Sequence, residues 1–374
     1  MTLVLEEGKN VELRQTGTYA IVAITKHGVE LSRNLHANFH QTDLFYMSKF
    51  EKGDEVDRNI TLFEGNVRML LPALFKNYKG IIMIISLGAV VRMIAPILKD
   101  KKTDPAVVVI DDKGQHVISV LSGHLGGANE LTREVAELLH ATPVITTASD
   151  VQKTIPVDLF GSRFGWVWES AENLTPVSAS VVNEEHVAII QESGEKNWWT
   201  YDRALPDNLK IYQTIEDAIE AAPKAALVVT HRHLTDEENV ILQNGVLYRP
   251  KVIVLGIGCN KGTSSEEIEQ VIYATLEELQ FSIKSVKAIC SIDIKKDEVG
   301  IIEVAQKHQW EFSYYSAEEL NSVQIELPSE TVYKFTGAYG VSEPAARLYS
   351  GAHTLVLTKK KSGNVTISVA VIPY

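Results

Sequence analysis

The sequence has few of the features that mark secreted, zinc-binding or nucleic-acid-binding proteins. Only two of its 374 residues are cysteines, Cys259 and Cys290, which excludes a cysteine-rich zinc site and a disulfide scaffold and suits a reducing cytosol. Lys and Arg number 36 against 48 Asp and Glu. The resulting net charge of −12 argues against a nucleic-acid partner, because neutralising phosphates requires clustered cations.

Long hydrophobic runs are also scarce. The most apolar stretch, residues 81–98, is interrupted by Ser86, Gly88, Arg92 and Pro96, and a spanning helix needs about 20 mostly apolar residues. The first 15 residues are polar and acidic, without the basic and apolar regions of a secretory signal. We therefore expect a cytoplasmic protein with no membrane partner.

What the chain does contain is an alternation of short apolar runs with amphipathic segments, which predicts an α/β fold. We expect two doubly wound, mostly parallel-sheet domains, residues 1–150 and 251–374, on either side of a small α+β middle domain, residues 151–250. In the middle domain, alternating residues on both sides of 183–186 predict a β-hairpin of residues 179–182 and 187–191.

The most informative segment is 121–130, Leu-Ser-Gly-His-Leu-Gly-Gly-Ala-Asn-Glu, between a predicted strand and a predicted helix over 128–139. Three glycines let the backbone approach a ligand, and the helix that follows presents amide groups to an anion. His124 adds a group that titrates near neutral pH. The alternative is a glycine turn with a capping serine and a surface histidine. The G-x-S-x-G spacing is absent, which disfavours a covalent intermediate on Ser122.

Other loops are expected at the same sheet edge, because ligands bind outside the carboxyl ends of parallel strands. The loops after residues 85, 121 and 145 would then meet. Arg92 would clamp a carboxylate or form a structural ion pair, and Thr147 and Asp150 would follow the last strand. Asp104 lies in the segment 101–105, which is also compatible with a solvated turn.

A second glycine loop, residues 256–262, follows a predicted strand in the C-terminal domain. Its G-x-G-x-x-x-G spacing is one residue longer than the dinucleotide fingerprint, so it is interpreted as a carboxylate or phosphate cradle beside Lys261. The loop 336–344 contains Gly340 and is equally compatible with a turn and a helix cap.

At these residues the sequence resembles a known family. Residues 84–112, 121–139, 142–150, 256–263, 291–298 and 336–346 are similar to the cobalt-precorrin-5A hydrolases, the CbiG family. The resemblance implies a reaction of anaerobic cobalamin synthesis, in which the δ-lactone of cobalt-precorrin-5A opens and the two-carbon unit at C20 leaves as acetaldehyde. The product is cobalt-precorrin-5B. Cobalt belongs to the substrate, and no cofactor or protein-bound metal is implied.

For this reaction we interpret His124 as the general base, with Asp150 or Asp104 assisting the second proton transfer. Glycine loops of both terminal domains would bind the acid side arms of one macrocycle. The predicted substrate-binding residues are Arg92, Ser122, Gly123, Gly126, Gly127, Asn129, Thr147, Gly256, Gly258, Lys261, Gly262, Thr263 and Gly340. A homodimer is compatible with the sequence. Two alternatives stay open: a nucleotide or phospho-sugar-binding α/β enzyme, and a non-catalytic tetrapyrrole carrier.

Overall fold

The computed structural model describes residues 2–7, 11–325 and 328–374. By its internal contacts the chain divides into two compact units, Met1–Asp158 and Leu159–Tyr374. The predicted boundaries at 150 and 250 are not tested by this division and stay a prediction. In the described ranges no helix is long and apolar enough to cross a membrane.

The first unit contains one eight-stranded sheet with helices on both faces. Its strands are β1 (Thr2–Leu5), β2 (Tyr19–Ala23), β3 (Thr42–Met47), β4 (Ile60–Gly65), β5 (Gly80–Ile84), β6 (Ala106–Ile110), β7 (His116–Leu121) and β8 (Thr142–Val144). The helices are α1 (Lys26–Asn38), α2 (Leu71–Asn77), α3 (Leu87–Ile94), α4 (Ala128–Leu139) and α5 (Ala148–Gln152), with short 3-10 helices at Ser48–Phe50, Val67–Met69 and Ala95–Ile97.

The strand order is β1-β4-β3-β2-β5-β6-β7-β8, and the direction of the sheet reverses once. Strands β1 to β6 run parallel to their neighbours, β7 is antiparallel to β6, and β8 is parallel to β7. Two apolar cores lie on the two faces of the sheet. Strands β5 and β6 are buried along their whole length, as their unbroken apolar sequences require.

The second unit begins with a five-stranded sheet. Its strands are β9 (Val167–Trp168), β10 (Val187–Gln191), β11 (Leu209–Tyr212), β12 (Ala225–Val229) and β13 (Gly245–Arg249), and its helices are α6 (Leu174–Val182) and α7 (Ile215–Glu220). Two 3-10 helices lie at Ser162–Phe164 and Glu238–Asn244. In the order β11-β10-β12-β13-β9, the last strand alone runs antiparallel to its neighbour among the residues described.

The predicted hairpin of this region is wrong. Residues 179–182 belong to the helix α6, and β10 pairs in parallel with β11 and β12 instead. Leu174, Val177 and Val181 are buried at helical spacing, and this longer period prevails over the short alternation that suggested a strand. Glu184, with φ of 57°, turns the chain after the helix.

The rest of the second unit is another five-stranded sheet covered by helices. Its strands are β14 (Ile253–Cys259), β15 (Val286–Ile292), β16 (Glu311–Tyr315), β17 (Leu357–Ser362) and β18 (Val365–Val371). The helices are α8 (Ser265–Glu278), α9 (Val299–His308), α10 (Ala317–Asn321), α11 (Glu330–Thr336) and α12 (Ser342–Ser350), with 3-10 helices at Ile283–Ser285 and Asp293–Lys295. In the order β16-β15-β14-β18-β17, the first three strands are parallel to one another. Strand β18 is antiparallel to both of its neighbours, β14 and β17. The predicted α/β class with mostly parallel sheets is confirmed. The middle region was predicted as α+β, but its sheet is also mostly parallel.

Candidate active site

The loop between β7 and α4 is closed by its own backbone hydrogen bonds. The amide of Gly127 donates to the carbonyl of His124 at 2.8 Å, and those of Ala128 and Asn129 donate to Ser122 and Gly123 at 3.1 and 3.0 Å. These are amides that the start of a helix normally leaves without a backbone partner. The Gly127 amide therefore has its hydrogen-bond partner within the protein. From the sequence we had expected this amide to point at a ligand, and it does not.

Close packing requires two glycines of this loop, and backbone conformation favours the third. A Cβ atom on Gly126 would lie 2.3 Å from the Cβ of Ser122, and one on Gly123 would lie 2.8 Å from the Oδ1 of Asn129. Gly127 has φ of 82°, in the left-handed region that favours glycine. The shape of the loop thus accounts for all three glycines, and ligand binding by Gly123 and Gly126 stays a prediction.

His124 lies between two carboxylates. Its Nδ1 is 2.9 and 3.1 Å from the two carboxylate oxygens of Asp158, and its Nε2 is 3.0 Å from the Oδ2 of Asp150. The hydroxyl of Ser149 lies 3.1 Å from the same Nε2. The His124 side chain is 17% exposed, so the imidazole is mostly enclosed and still open on one side.

This arrangement keeps the imidazole charged. Hydrogen bonds to Asp150 and then to Asp158 raise the pKa of His124 to about 9, in spite of partial burial, which lowers it. The hydrogen bond from His124 in turn lowers the pKa of Asp150, and Arg133 adds to the effect. At neutral pH His124 is therefore an imidazolium whose two N–H groups donate to carboxylates. A general base needs the neutral form, so the predicted base role requires His124 to lose a proton first.

Asn129 holds the carboxylate side of this cluster in place. Its Nδ2 donates to the Oδ2 of Asp150 and to the Oγ1 of Thr147, both at 2.9 Å, and its Oδ1 accepts from Ser119 at 2.7 Å. Asn129 is buried, and each of these bonds satisfies a group that would be costly to leave unpaired. The structure thus brings together four of the predicted residues, namely His124, Asn129, Thr147 and Asp150.

Asp104 lies near the same loop but has a structural contact. The hydroxyl of Ser122 donates to the backbone carbonyl of Asp104 at 2.9 Å, because the start of β6 lies opposite the end of β7. The carboxylate of Asp104 is buried and accepts from the backbone amide of Lys99 at 2.9 Å. In this structure the carboxylate of Asp104 closes the turn of residues 99–104. Its predicted catalytic role stays a prediction.

The loop that follows β5 does not share this edge of the sheet. Because β7 runs antiparallel to β6, the carboxyl end of β5 and that of β7 lie at opposite edges. The expected meeting of the loops after 85, 121 and 145 is therefore wrong for the first of them. Arg92 is on the helix α3 that starts from that opposite edge, with an exposed guanidinium 3.4 Å from the carbonyl of Gly88.

In the second unit, the two predicted glycine segments pack against each other. Gly256 is inside β14, and a Cβ atom there would lie 1.8 Å from the carbonyl oxygen of Ser342, at the start of α12. A Cβ on Gly258 would be 3.8 Å from Val341, so that position has room. A Cβ on Gly340 would lie 2.9 Å from the end of the Ile325 side chain.

The end of this loop already holds an anion that belongs to the protein. The amide of Gly262, which has φ of 77°, donates to the carboxylate of Glu298 at 2.7 Å. Lys295 pairs with the same carboxylate at 2.6 Å, and the hydroxyl of Thr263 donates to the carbonyl of Asn260 at 2.8 Å. Lys261 is exposed. The backbone of this loop therefore does bind an anion, as predicted, but the anion is the carboxylate of Glu298.

Sequence reasoning missed two charged members of the His124 cluster, Arg133 and Asp158. Arg133 pairs with Asp150 and is four residues after Asn129 on α4, so the helical period places both on one face. That spacing was an available signal. Asp158 is 34 residues beyond His124 in an irregular segment, and no pattern links the two.

The fold and this cluster define the class of protein: an α/β protein with a histidine held between carboxylates, the residue types that transfer protons in hydrolytic enzymes. Three family models match the chain: Cobalamin synthesis G N-terminal over residues 69–150, Cobalamin biosynthesis central region over 155–250, and Cobalamin synthesis G C-terminus over 253–370.

Relatives with established names cover nearly the whole chain. It is 73% identical over 370 residues to the cobalt-precorrin-5A hydrolase of Priestia megaterium, covering 99% of each chain, and 32% identical over 359 residues to that of Salmonella typhimurium, covering 94% of this chain and 97% of the relative. The chain belongs to the cobalt-precorrin-5A hydrolase family. A crystal structure of a cobalamin biosynthesis protein G homologue from Sulfolobus solfataricus matches with 23% identity and a TM-score of 0.36, covering 95% and 97% of the two chains.

Proposed function

We propose that this chain hydrolyses cobalt-precorrin-5A to cobalt-precorrin-5B in anaerobic cobalamin biosynthesis, opening the δ-lactone and releasing the C20 unit as acetaldehyde. The support is family membership along the whole chain, with 73% identity to a relative that carries the name of this hydrolase. The supporting observation within the structure is the charged His124 between Asp150 and Asp158.

The first step of the proposed reaction uses His124 as a proton donor. Water adds to the lactone carbonyl carbon, and the bond from that carbon to the ring oxygen breaks. The imidazolium gives its proton to the departing oxygen, which becomes the hydroxyl at C20. The protons of the attacking water pass to solvent as the new carboxylate forms.

The second step uses the neutral imidazole that the first step leaves. His124 now takes the proton of the C20 hydroxyl, and the bond between C20 and the macrocycle breaks. The electron pair of that bond moves into the conjugated macrocycle, which then takes up a proton, and C20 becomes the aldehyde carbon. Asp150, 3.0 Å from Nε2, is better placed to assist this transfer than Asp104, whose carboxylate accepts from the amide of Lys99.

We propose that exposed cations and backbone amides bind the substrate, which carries many ionised acetate and propionate arms. Lys261 is exposed and suits this part, whereas Arg92 lies on the helix that starts from the edge of the sheet opposite to the His124 loop. Local cations are needed because the net charge of −12 repels an anion. The other predicted binding residues, Ser122, Gly123 and Gly126 among them, stay predictions, except that the amides of Gly127 and Gly262 already have partners within the protein.

The reaction as proposed needs no cofactor of its own, because the macrocycle accepts the electron pair and the cobalt is part of the substrate. We place it in the cytoplasm, which suits a chain whose two cysteines are free thiols. A homodimer stays an untested prediction.

The test is incubation of the purified chain with cobalt-precorrin-5A and detection of acetaldehyde. We expect stoichiometric acetaldehyde and conversion to cobalt-precorrin-5B over many turnovers. Binding of the macrocycle without acetaldehyde would contradict the proposal and identify a carrier. Binding of ATP, NAD or a sugar phosphate in place of the macrocycle would contradict it in favour of the other class.

A further inference from the structure

Asp158 is a carboxylate of the His124 cluster that the sequence did not indicate. It is the last residue of the first unit, and its two carboxylate oxygens lie 2.9 and 3.1 Å from the Nδ1 of His124. The side chain is 24% exposed, against 17% for Asp150. A carboxylate on one nitrogen of a histidine fixes which nitrogen carries the proton and how the ring is turned.

The backbone beneath Asp158 is anchored. Ile155 and Val157 are buried, and the amide of Thr154 donates to the carbonyl of Ser149 at 3.0 Å, which ties this segment to the end of α5. The carboxylate is therefore presented to His124 by a fixed stretch of chain and does not reach it by chance from a mobile loop.

The other nitrogen of His124 has a different environment. Its Nε2 faces Asp150 and Ser149 from α5, while Asn129 and Arg133 from α4 reach the ring only through Asp150. Ser149, His124 and Asp158 thus stand in the order of a Ser-His-Asp triad. Ser149 is only 6% exposed, however, and Asp150 competes for the Nε2 proton, so a nucleophilic serine is disfavoured.

We propose that Asp158 is a positioning residue that holds the proton on Nδ1 of His124, so that Nε2 is the nitrogen that exchanges its proton with the substrate. This inference rests on the proposed hydrolase function for its catalytic consequence. The contact itself is a property of the free protein. The raised pKa of His124 agrees with it, because Asp158 is the second of the two hydrogen-bond partners that raise the value.

The experiment is an NMR titration of the His124 ring nitrogens in the full chain without substrate, in wild type and in Asp158→Asn. Asp112→Asn is the matched control, because Asp112 lies 3.3 Å from the exposed His27 in the same unit. We expect Asp158→Asn to lower the pKa of His124 by about one unit or more and to change which nitrogen is protonated in the neutral form. Asp112→Asn should leave both properties of His124 unchanged.

Turnover supplies the second readout. Asp158→Asn should lower kcat for acetaldehyde release about 100-fold, with KM within about twofold, and Asp158→Glu should recover part of the loss. An unchanged His124 titration in a folded Asp158→Asn chain would overturn the inference. If that variant does not fold, Asp158→Ala takes its place, and an unchanged titration with unchanged kcat would overturn the inference equally. A wild-type chain that releases no acetaldehyde defeats the proposed function, while the titration still decides the part of Asp158.

Discussion

The loops of residues 121–130 and 256–263 are both rich in glycine, but different groups pack against their backbones. In the first, the glycines let the backbone fold tightly around a polar cluster that contains a charged histidine. In the second, Gly256 allows the backbone at the start of α12 to pack closely against β14, and the Gly262 amide donates to the carboxylate of Glu298. One loop builds a site that can transfer protons, and the other is a packing junction with its own internal anion.

The comparison teaches that glycine spacing identifies a tight backbone and not the group that the backbone surrounds. In both loops, amides expected to face a ligand are already bonded within the protein, those of Gly127 and Gly262. What separates the two is the side chains that converge on them. His124 meets two carboxylates with one side open, whereas Glu298 meets Lys295 in a nearly enclosed pair.

The largest expected effect is on the rate, and it comes from the first loop. His124→Ala should lower acetaldehyde release from cobalt-precorrin-5A by about 10²- to 10⁴-fold, the usual contribution of a side chain that transfers a proton. The control is His27→Ala, which removes an exposed histidine beside Asp112. If His124→Ala lowers the rate of acetaldehyde release less than threefold, the first loop does not transfer protons and does not differ from the second in this respect.

The next effect is on folding, and it comes from the second loop. Gly256→Ala should lower the free energy of unfolding by about 3 kcal/mol, because its Cβ would meet the Ser342 carbonyl oxygen. Gly258→Ala is the matched variant two residues on, and it should cost less than about 1 kcal/mol. Urea unfolding of both chains measures the difference. Equal stability of the two variants would show that Gly256 is not a packing position.

The smallest effect concerns the exposed cation of the second loop. Lys261→Ala should raise KM about two- to fivefold and leave kcat unchanged, since an exposed lysine attracts an anionic substrate without taking part in the chemistry. The increase should shrink in high salt, where exposed charges are screened. A fall in kcat at constant KM would instead place Lys261 at the reacting atoms.

Much of the first loop could be predicted from the sequence, because its signals are local. The apolar strand, the glycines, His124 and the amphipathic α4 follow one another along the chain. The partners Thr147 and Asp150 follow the next strand, and parallel neighbours bring their ends together. The α/β class followed from the same alternation of strands and helices.

What could not be predicted depends on chain direction and on distant contacts. Because β7 is antiparallel to β6, the loop after β5 lies at the edge of the sheet opposite to the His124 loop. The apolar periodicity of a strand does not indicate its direction. The contact of Asp158 with His124 spans 34 residues of sequence. The hairpin prediction failed because a four-residue window fits both periods, and only the longer run from Leu174 favours a helix.

The most direct test is the pH dependence of kcat/KM for acetaldehyde release from cobalt-precorrin-5A, which reports the protonation state of the free enzyme. His124 has its pKa raised to about 9, so the proton donor is present throughout the neutral range and is lost as the pH rises through 9. The account predicts that kcat/KM stays level from about pH 7 to 8 and falls above about 9. A kcat/KM that rises between pH 6 and 7 and then stays high would show a neutral imidazole base in the free enzyme, and would contradict the account.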